Sequence, residues 1–174
     1  MDIMEAIFSR RSIRQYTNEK VSDEDIKKIL AAGMAAPSAF NAQPWRFIVI
    51  DNTKNNIREK IKEISPYTQM IDDSPASVLV CGKTDHEIVG DYWPIDCSAC
   101  IENMLLAIHG LGLGGVWTGI YPEMERVENF GKLFNLPENI KAHSLIIFGH
   151  PDEKKAKKDT YDEDIVFYDT WGKN

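Results

Sequence analysis

Arg10-Arg11-Ser12-Ile13-Arg14 places three guanidinium groups and a hydroxyl within five positions, directly after a short helical pattern. That is a plausible anion site, because arginine offers a planar bidentate fork and each charge-assisted hydrogen bond is worth roughly 1.5–3 kcal/mol. A second basic run, Lys154-Lys155-Ala156-Lys157-Lys158, would complete it if folding brings the two around one phosphate. Taken alone, each has a bland reading: arginines at a helix end that favour the dipole and face solvent, and a solvated lysine loop. Pro37-Ser38-Ala39-Phe40-Asn41-Ala42-Gln43-Pro44-Trp45 joins a helix pattern to a strand pattern and gathers turn-formers, amides and aromatics at one junction. Phe40 there fits either a pocket wall or the core.

Other chemistries lack support. Gly112-Leu113-Gly114-Gly115 follows a helix and precedes a strand, the reverse of the order a dinucleotide fingerprint requires, and no G-x-x-x-x-G-K-[ST] occurs. No serine sits in a nucleophile elbow, and His86, His109, His143 and His150 do not pair at metal-ligand spacing. Cys97 and Cys100 form a C-x-x-C inside the helical pattern Pro94 to Gly110, where both thiols share one helix face; core packing is the reading there, since nothing completes a zinc site. Neither a metal nor a catalytic acid–base residue is expected, whereas a bound cofactor with its own chemistry needs only orientation and electrostatics from the protein.

These residues need elements to position them. A short helix over 2–9, with Asp2 as N-cap and Ile3, Ala6 and Ile7 as its apolar face, delivers the arginines. Ser22 caps a second helix whose stripe Ile26, Ile29, Leu30 runs toward Ala36 and stops at Pro37. Trp45 to Asp51 reads as a strand, Thr53 to about Ile64 as a charged helix, and Ala76 to Gly82 as a buried strand. Tyr92 to His109 is the expected core helix, with Ile95, Ala99, Asn103, Leu106 and Gly110 on its stripe. An apolar stretch Val116 to Ile120, a helix from Pro122 toward Phe134, and a core strand Ser144 to Phe148 follow. The tail Asp162 to Trp171 is aromatic enough to need a cover, either a partner subunit or its own domain.

With 174 residues and no composition break, one domain over 1–174 is expected. The 20 basic and 27 acidic residues balance to −7, which argues against nucleic acid and for a small anionic ligand at the local cationic clusters. No leader pattern or membrane-length apolar run is read, and three cysteines suit a reducing compartment, so a soluble cytoplasmic protein without a membrane partner is expected.

The pieces together resemble the FMN-dependent nitroreductase family. R-R-S-I-R, the block A-A-P-S-A-F-N-A-Q-P-W-R-F at Ala35 to Phe47, the core helix from near Asp96, G-L-G-G-V-W-T-G at Gly112 to Gly119, and the strand Ser144 to Gly149 leading to the lysines occur in that order over nearly the whole chain. The resemblance implies an α+β fold, a mixed and mainly antiparallel sheet flanked by helices, in an interlocked homodimer with FMN at the interface. It implies that Arg10 and Ser12 meet the FMN phosphate with Arg11 nearby, and that Arg14 approaches the pyrimidine edge. Pro37, Ser38, Asn41 and Gln43 would reach the flavin from the partner subunit. Trp117, Thr118 and Gly119 would line the ring, while Lys155 and Lys157 close the phosphate site. Residues 161–174 would form an arm packed on the partner.

The implied activity transfers hydride from NADH or NADPH through FMN to a small-molecule acceptor, a nitroaromatic, quinone or free flavin. Alternatives are another reductive reaction on the same fold, or an FMN-binding storage or redox-sensing protein. Two features depart from the family pattern: only lysines follow the final strand, and Gly119-Ile120 stands where larger relatives carry an acidic residue and glycine. The short Thr84-to-Trp93 connection leaves little room for a pocket-covering excursion, so an open site is expected.

Overall fold

The central strands read as near-continuous apolar runs, which ask for cover on both sides of a sheet, and the computed structural model supplies it. It describes residues 1–53, 57–86, 90–157 and 160–172. The elements in order are α1 (Ile3–Ser9), α2 (Asp23–Met34), β1 (Trp45–Asp51), α3 (Ile57–Ile64), β2 (Ala76–Lys83), α4 (Trp93–Gly110), β3 (Gly114–Gly119), α5 (Met124–Leu133) and β4 (Ile140–Gly149), with short 3-10 turns between some of them. The architecture is α+β. The four strands lie in the order β1-β2-β4-β3, and every named pairing is antiparallel. Parallel character enters through the isolated bridge Ser12–Gly115.

One face of the sheet packs against α2 and α4: Val78, Val80, Ile146 and Phe148 meet Ile29, Cys100, Ile101, Met104 and Ile108. The other face sends Leu79, Cys81, Leu145 and Ile147 toward Ile61 of α3 and Val127 and Phe130 of α5. Each fully buried aliphatic side chain here contributes about 1.5–3 kcal/mol. α2 and α4 approach so closely that a Cβ at Gly33 would lie 2.7 Å from Met104 Cγ and 2.9 Å from Cys100 Sγ. Cys81, Cys97 and Cys100 are buried free thiols, and burial pushes Cys81 and Cys100 up to about 12 and Cys97 higher still. The C-x-x-C is therefore core.

The caps follow the sequence. Asp2 accepts from the amides of Met4 and Glu5, and Ser22 from that of Asp25. Two expected faces do not hold. On α4 the buried side is Cys97, Cys100, Ile101, Met104, Leu105 and Ile108, while Ile95 is exposed and Ala99, Asn103 and Leu106 are only partly covered. α4 is apolar nearly all round, so spacing alone does not choose its inner face. On α1 only Ala6 is buried, and Ile3, Met4, Ile7 and Phe8 are exposed. The aromatic tail likewise leaves Ile165, Tyr168 and Trp171 exposed instead of folding back on this chain. Thr53, the expected helix start, lies in a turn and the described helix is Ile57–Ile64; residues 54–56, the middle of the Thr84-to-Trp93 connection and Lys158 lie outside the described residues.

Candidate functional site

The segment after α1 is extended and stitched to the sheet. Ile13 N–H donates to Gly115 O at 3.0 Å, Thr17 N–H to His150 O at 2.9 Å, and Asp152 N–H to Gln15 O at 2.9 Å. Tyr16 clamps it, its one hydroxyl proton shared between Ile13 O and Ile147 O. Burial of that phenol pushes its pKa well above the ordinary value. This stitching brings the two basic clusters together. Arg11 Nε donates to Ala156 O at 2.9 Å and Nη1 to Phe8 O and Arg10 O at 3.0 and 2.6 Å, which leaves Nη2 buried without a hydrogen-bond partner among the described residues. Lys155 Nζ donates to Ser12 O at 2.6 Å and pairs with Glu153 at 3.2 Å. Glu153 also accepts the Arg14 amide at 2.5 Å, and these partners hold its carboxyl below the usual range. Arg10 pairs with Glu102 of α4 at 3.5 Å and Lys157 with Glu5 at 4.0 Å.

Arg14 links this cluster to a groove of about 550 Å³ lined by Trp117, Thr118, Gly119, Tyr67, Met70 and Arg126, with Gln69 beside them. The volume suits a cofactor-sized ligand. Arg126 bounds one side, its guanidinium 5.7 Å from the Tyr67 ring centre and its Nη1 donating to Gly119 O at 3.0 Å. A Cβ at Gly119 would meet nothing nearer than Tyr121 O at 3.9 Å, so the strand's edge is open there. Thr118 turns its hydroxyl to Leu145 O at 2.7 Å. Trp117 packs on the α4 side of the sheet, with Nε1–H donating to Ser144 Oγ at 2.6 Å. Ser144 in turn contacts His143 Nδ1 at 2.9 Å, and burial holds that imidazole down at about 4, neutral at physiological pH. Only the main chain of Trp117 is thereby left to offer the groove.

The Pro37–Gln43 block is not among the residues lining that groove. It forms a 3-10 turn over Ala39–Asn41, and Phe40 and Asn41 within it and Gln43 just beyond it all have left-handed backbone, φ 50, 55 and 45°. Asparagine tolerates that region, while for Phe40 and Gln43 it costs about 1–3 kcal/mol each. Phe40 is 81% exposed and so is no core residue. Ser38 Oγ accepts the Gln43 N–H at 3.0 Å, and Asp96 Oδ1 of α4 accepts that of Ala39 at 3.0 Å. Among the described residues no group of three or more His, Cys, Asp or Glu could hold a metal ion.

The arginines, lysines and β3 residues of this region lie in motifs legible in the sequence. Tyr67, Gln69, Met70, Arg126 and Glu102 lie outside any recognisable motif, and Asp96, at the start of the matching core helix, carries no sequence signal of its contact with Ala39. A model of the nitroreductase family matches residues 7–76 and 66–150. The chain belongs to the nitroreductase family. A relative from Methanothermobacter thermautotrophicus, provisionally named NADH dehydrogenase/NAD(P)H nitroreductase, is 44% identical over 171 residues, 98% of this chain and 88% of that one. A crystal structure of a Parabacteroides distasonis protein with the same provisional name superposes with a TM-score of 0.91 at 34% identity, covering 97% of this chain and 98% of the other. A Desulfovibrio desulfuricans protein provisionally named a nitroreductase, solved in complex with FMN, superposes at 0.82 with 30% identity and 98% coverage of both chains. This chain shares their α+β architecture. None of its described helices is long and apolar enough to cross a membrane.

Proposed function

We propose that this member of the family is a cytoplasmic FMN-dependent NAD(P)H oxidoreductase that reduces nitroaromatic, quinone or flavin acceptors. The observation carrying this reading is that Arg14 lines the groove beside Gly119 while its amide is held by Glu153, the partner of Lys155, whose ammonium also donates to Ser12 O. A planar ring fits the groove between apolar Met70 and Tyr67 and the open edge of β3, and a phosphate fits the cations. The NAD(P)H in the names of the relatives and the FMN held by the D. desulfuricans protein support the same cofactors here.

When bound, FMN supplies the hydride chemistry, accepting from the nicotinamide and passing electrons to the acceptor. The chain's residues orient it. Arg10, Ser12 and Lys157 would hold the phosphate, with Arg11 and Lys155 stapling the two loops around it. Arg14 would offer a cation to the pyrimidine edge of the flavin, stabilising negative charge on its reduced form. The Thr118–Gly119 main chain would offer backbone groups to the ring. Pro37, Ser38, Asn41 and Gln43 complete the site from a second subunit, consistent with a loop that lies off the groove of its own chain. Exposed Ile3, Met4, Ile7 and Phe8 on α1, Ile95 on α4, and Ile165, Tyr168 and Trp171 in the tail form the apolar surface such a homodimer would cover.

An anaerobic titration of FMN-reconstituted protein with NADH and then NADPH tests the reading. Bleaching of the flavin by about one equivalent, reversed by a nitroaromatic or quinone, is expected. Bound flavin that neither donor reduces would instead favour storage or sensing, and absence of flavin binding would remove the cofactor assignment.

A further inference from the structure

Asp96 lies in the first turn of α4 and is 5% exposed. Its Oδ1 accepts the Ala39 N–H, while Oδ2 is buried without a hydrogen-bond partner among the described residues. A half-satisfied buried carboxylate is costly where it stands, even with the helix N-terminus favouring negative charge. What it holds accounts for its presence. The Ala39–Asn41 turn has no side-chain cap of its own, because Ser38 Oγ is engaged by the Gln43 amide. Inside the turn, Asn41 N–H donates to Ser38 O at 3.0 Å and Ala42 N–H to Ala39 O at 2.9 Å. The Ala39 amide is the turn's first donor, and Asp96 caps it from another element. α4 is anchored at this level by Trp93, Cys97 and Cys100 in the core, so the cap is a fixed point against which three left-handed residues, Phe40, Asn41 and Gln43, are held.

We propose that Asp96 is the positioning residue of the Pro37–Gln43 loop: through the Ala39 N–H it sets Ser38, Asn41 and Gln43 in the shape that receives the flavin. The inference rests on the flavin reading above and adds to it a residue that touches neither cofactor nor substrate.

The test measures FMN affinity by quenching of free flavin fluorescence, in the full-length protein, for wild type, Asp96→Ala, Asp96→Asn, Ala39→Pro and the Asp96→Ala/Ala39→Pro pair. Asp96→Ala is expected to weaken FMN binding at least about tenfold, the loss of one charge-assisted hydrogen bond. Asp96→Asn keeps an acceptor for the Ala39 amide and is expected to stay within about threefold of wild type. Ala39→Pro deletes the donor instead; Ser38 is already extended, at φ −143° and ψ 154°, and the first position of a helical turn accepts proline. It is expected to match Asp96→Ala, and the double variant to be no weaker than the worse single one. Wild-type affinity in Asp96→Ala, failure of Asp96→Asn to rescue, or additive losses in the double variant would overturn the proposal. If Asp96→Ala fails to fold by circular dichroism, Ala39→Pro set against Asp96→Asn decides alone. Wild-type protein that takes up no FMN overturns the flavin reading itself, and the proposal with it.

Discussion

At the scale of single residues, the groove separates side chains that hold the protein together from those that face a ligand. Gly119 is of the second kind, since a side chain there meets no protein atom within ordinary contact distance except Tyr121 O at 3.9 Å. Gly119→Val is therefore expected to fold with a melting temperature within a few degrees of wild type, yet to bind FMN at least about tenfold more weakly, by intruding on the ring. Equilibrium dialysis and a thermal melt distinguish the two effects. Arg14 is the electrostatic counterpart: its amide is tied to Glu153, but its guanidinium lines the groove. Arg14→Ala is expected to slow anaerobic flavin reduction by about tenfold to a hundredfold, the worth of one charged hydrogen bond, with little loss of stability. Stopped-flow traces that match wild type with flavin fully bound would remove Arg14 from that role.

At the scale of elements, the ends of β3, β4 and α4 meet in a cluster of Trp93, Trp117, Tyr121 and His143. His143 is 4% exposed and contacts Ser144 on one nitrogen and Ser98 on the other, at 2.9 and 3.4 Å. Ser144 accepts from Trp117 and so donates to Nδ1, while Ser98 donates to Pro94 O and so accepts from Nε2–H. Both contacts call for the neutral ring protonated at Nε2. Its folded pKa of about 4 lies below the ordinary 6.5, so the unfolded chain binds the extra proton between those values. This contribution is fully present above about pH 6.5, falls as pH drops, and is gone below about pH 4, a span worth roughly 3 kcal/mol. In His143→Gln the urea midpoint is expected to vary less between pH 6.5 and 4 than in wild type; parallel curves would show that other groups set the slope.

At the scale of the whole molecule, α1 and the C-terminal tail both present apolar side chains that this chain leaves bare, with Trp171 88% exposed. Ending the chain after Thr160 removes Tyr161, Ile165, Phe167, Tyr168 and Trp171. If they are anchors between subunits, losing even one costs about 2 kcal/mol, so dissociation is expected to tighten its demand on concentration by about thirtyfold or more. Light scattering at micromolar concentration checks this. A truncated protein that stays a flavin-bound dimer there would show that the tail is not an anchor.

Patterns local to the chain were legible without the fold. The caps Asp2 and Ser22, the strand from Trp45 to Asp51, the buried thiols and the R-R-S-I-R and Pro-Ser-x-x-Asn-x-Gln blocks were all read from side-chain chemistry repeating at short range. That includes the family resemblance, because its motifs are short. Everything that depends on which element lies opposite another was left to tertiary structure. α4 is apolar on almost every side, so the choice of Ile101, Met104 and Ile108 for its inner face, in place of Ile95, Asn103 and Leu106, depended on α2 and the sheet. Tyr67, Gln69 and Arg126 became groove residues only when their elements closed beside β3. The lysines met the arginines because the segment through Tyr16 was stitched to β3 and β4, joining Ser12 to Lys155 across 143 positions. Asp96 found Ala39 across 57 positions by the same cause: a hydrogen bond is set by proximity in space, which spacing along the chain records only within a turn or two.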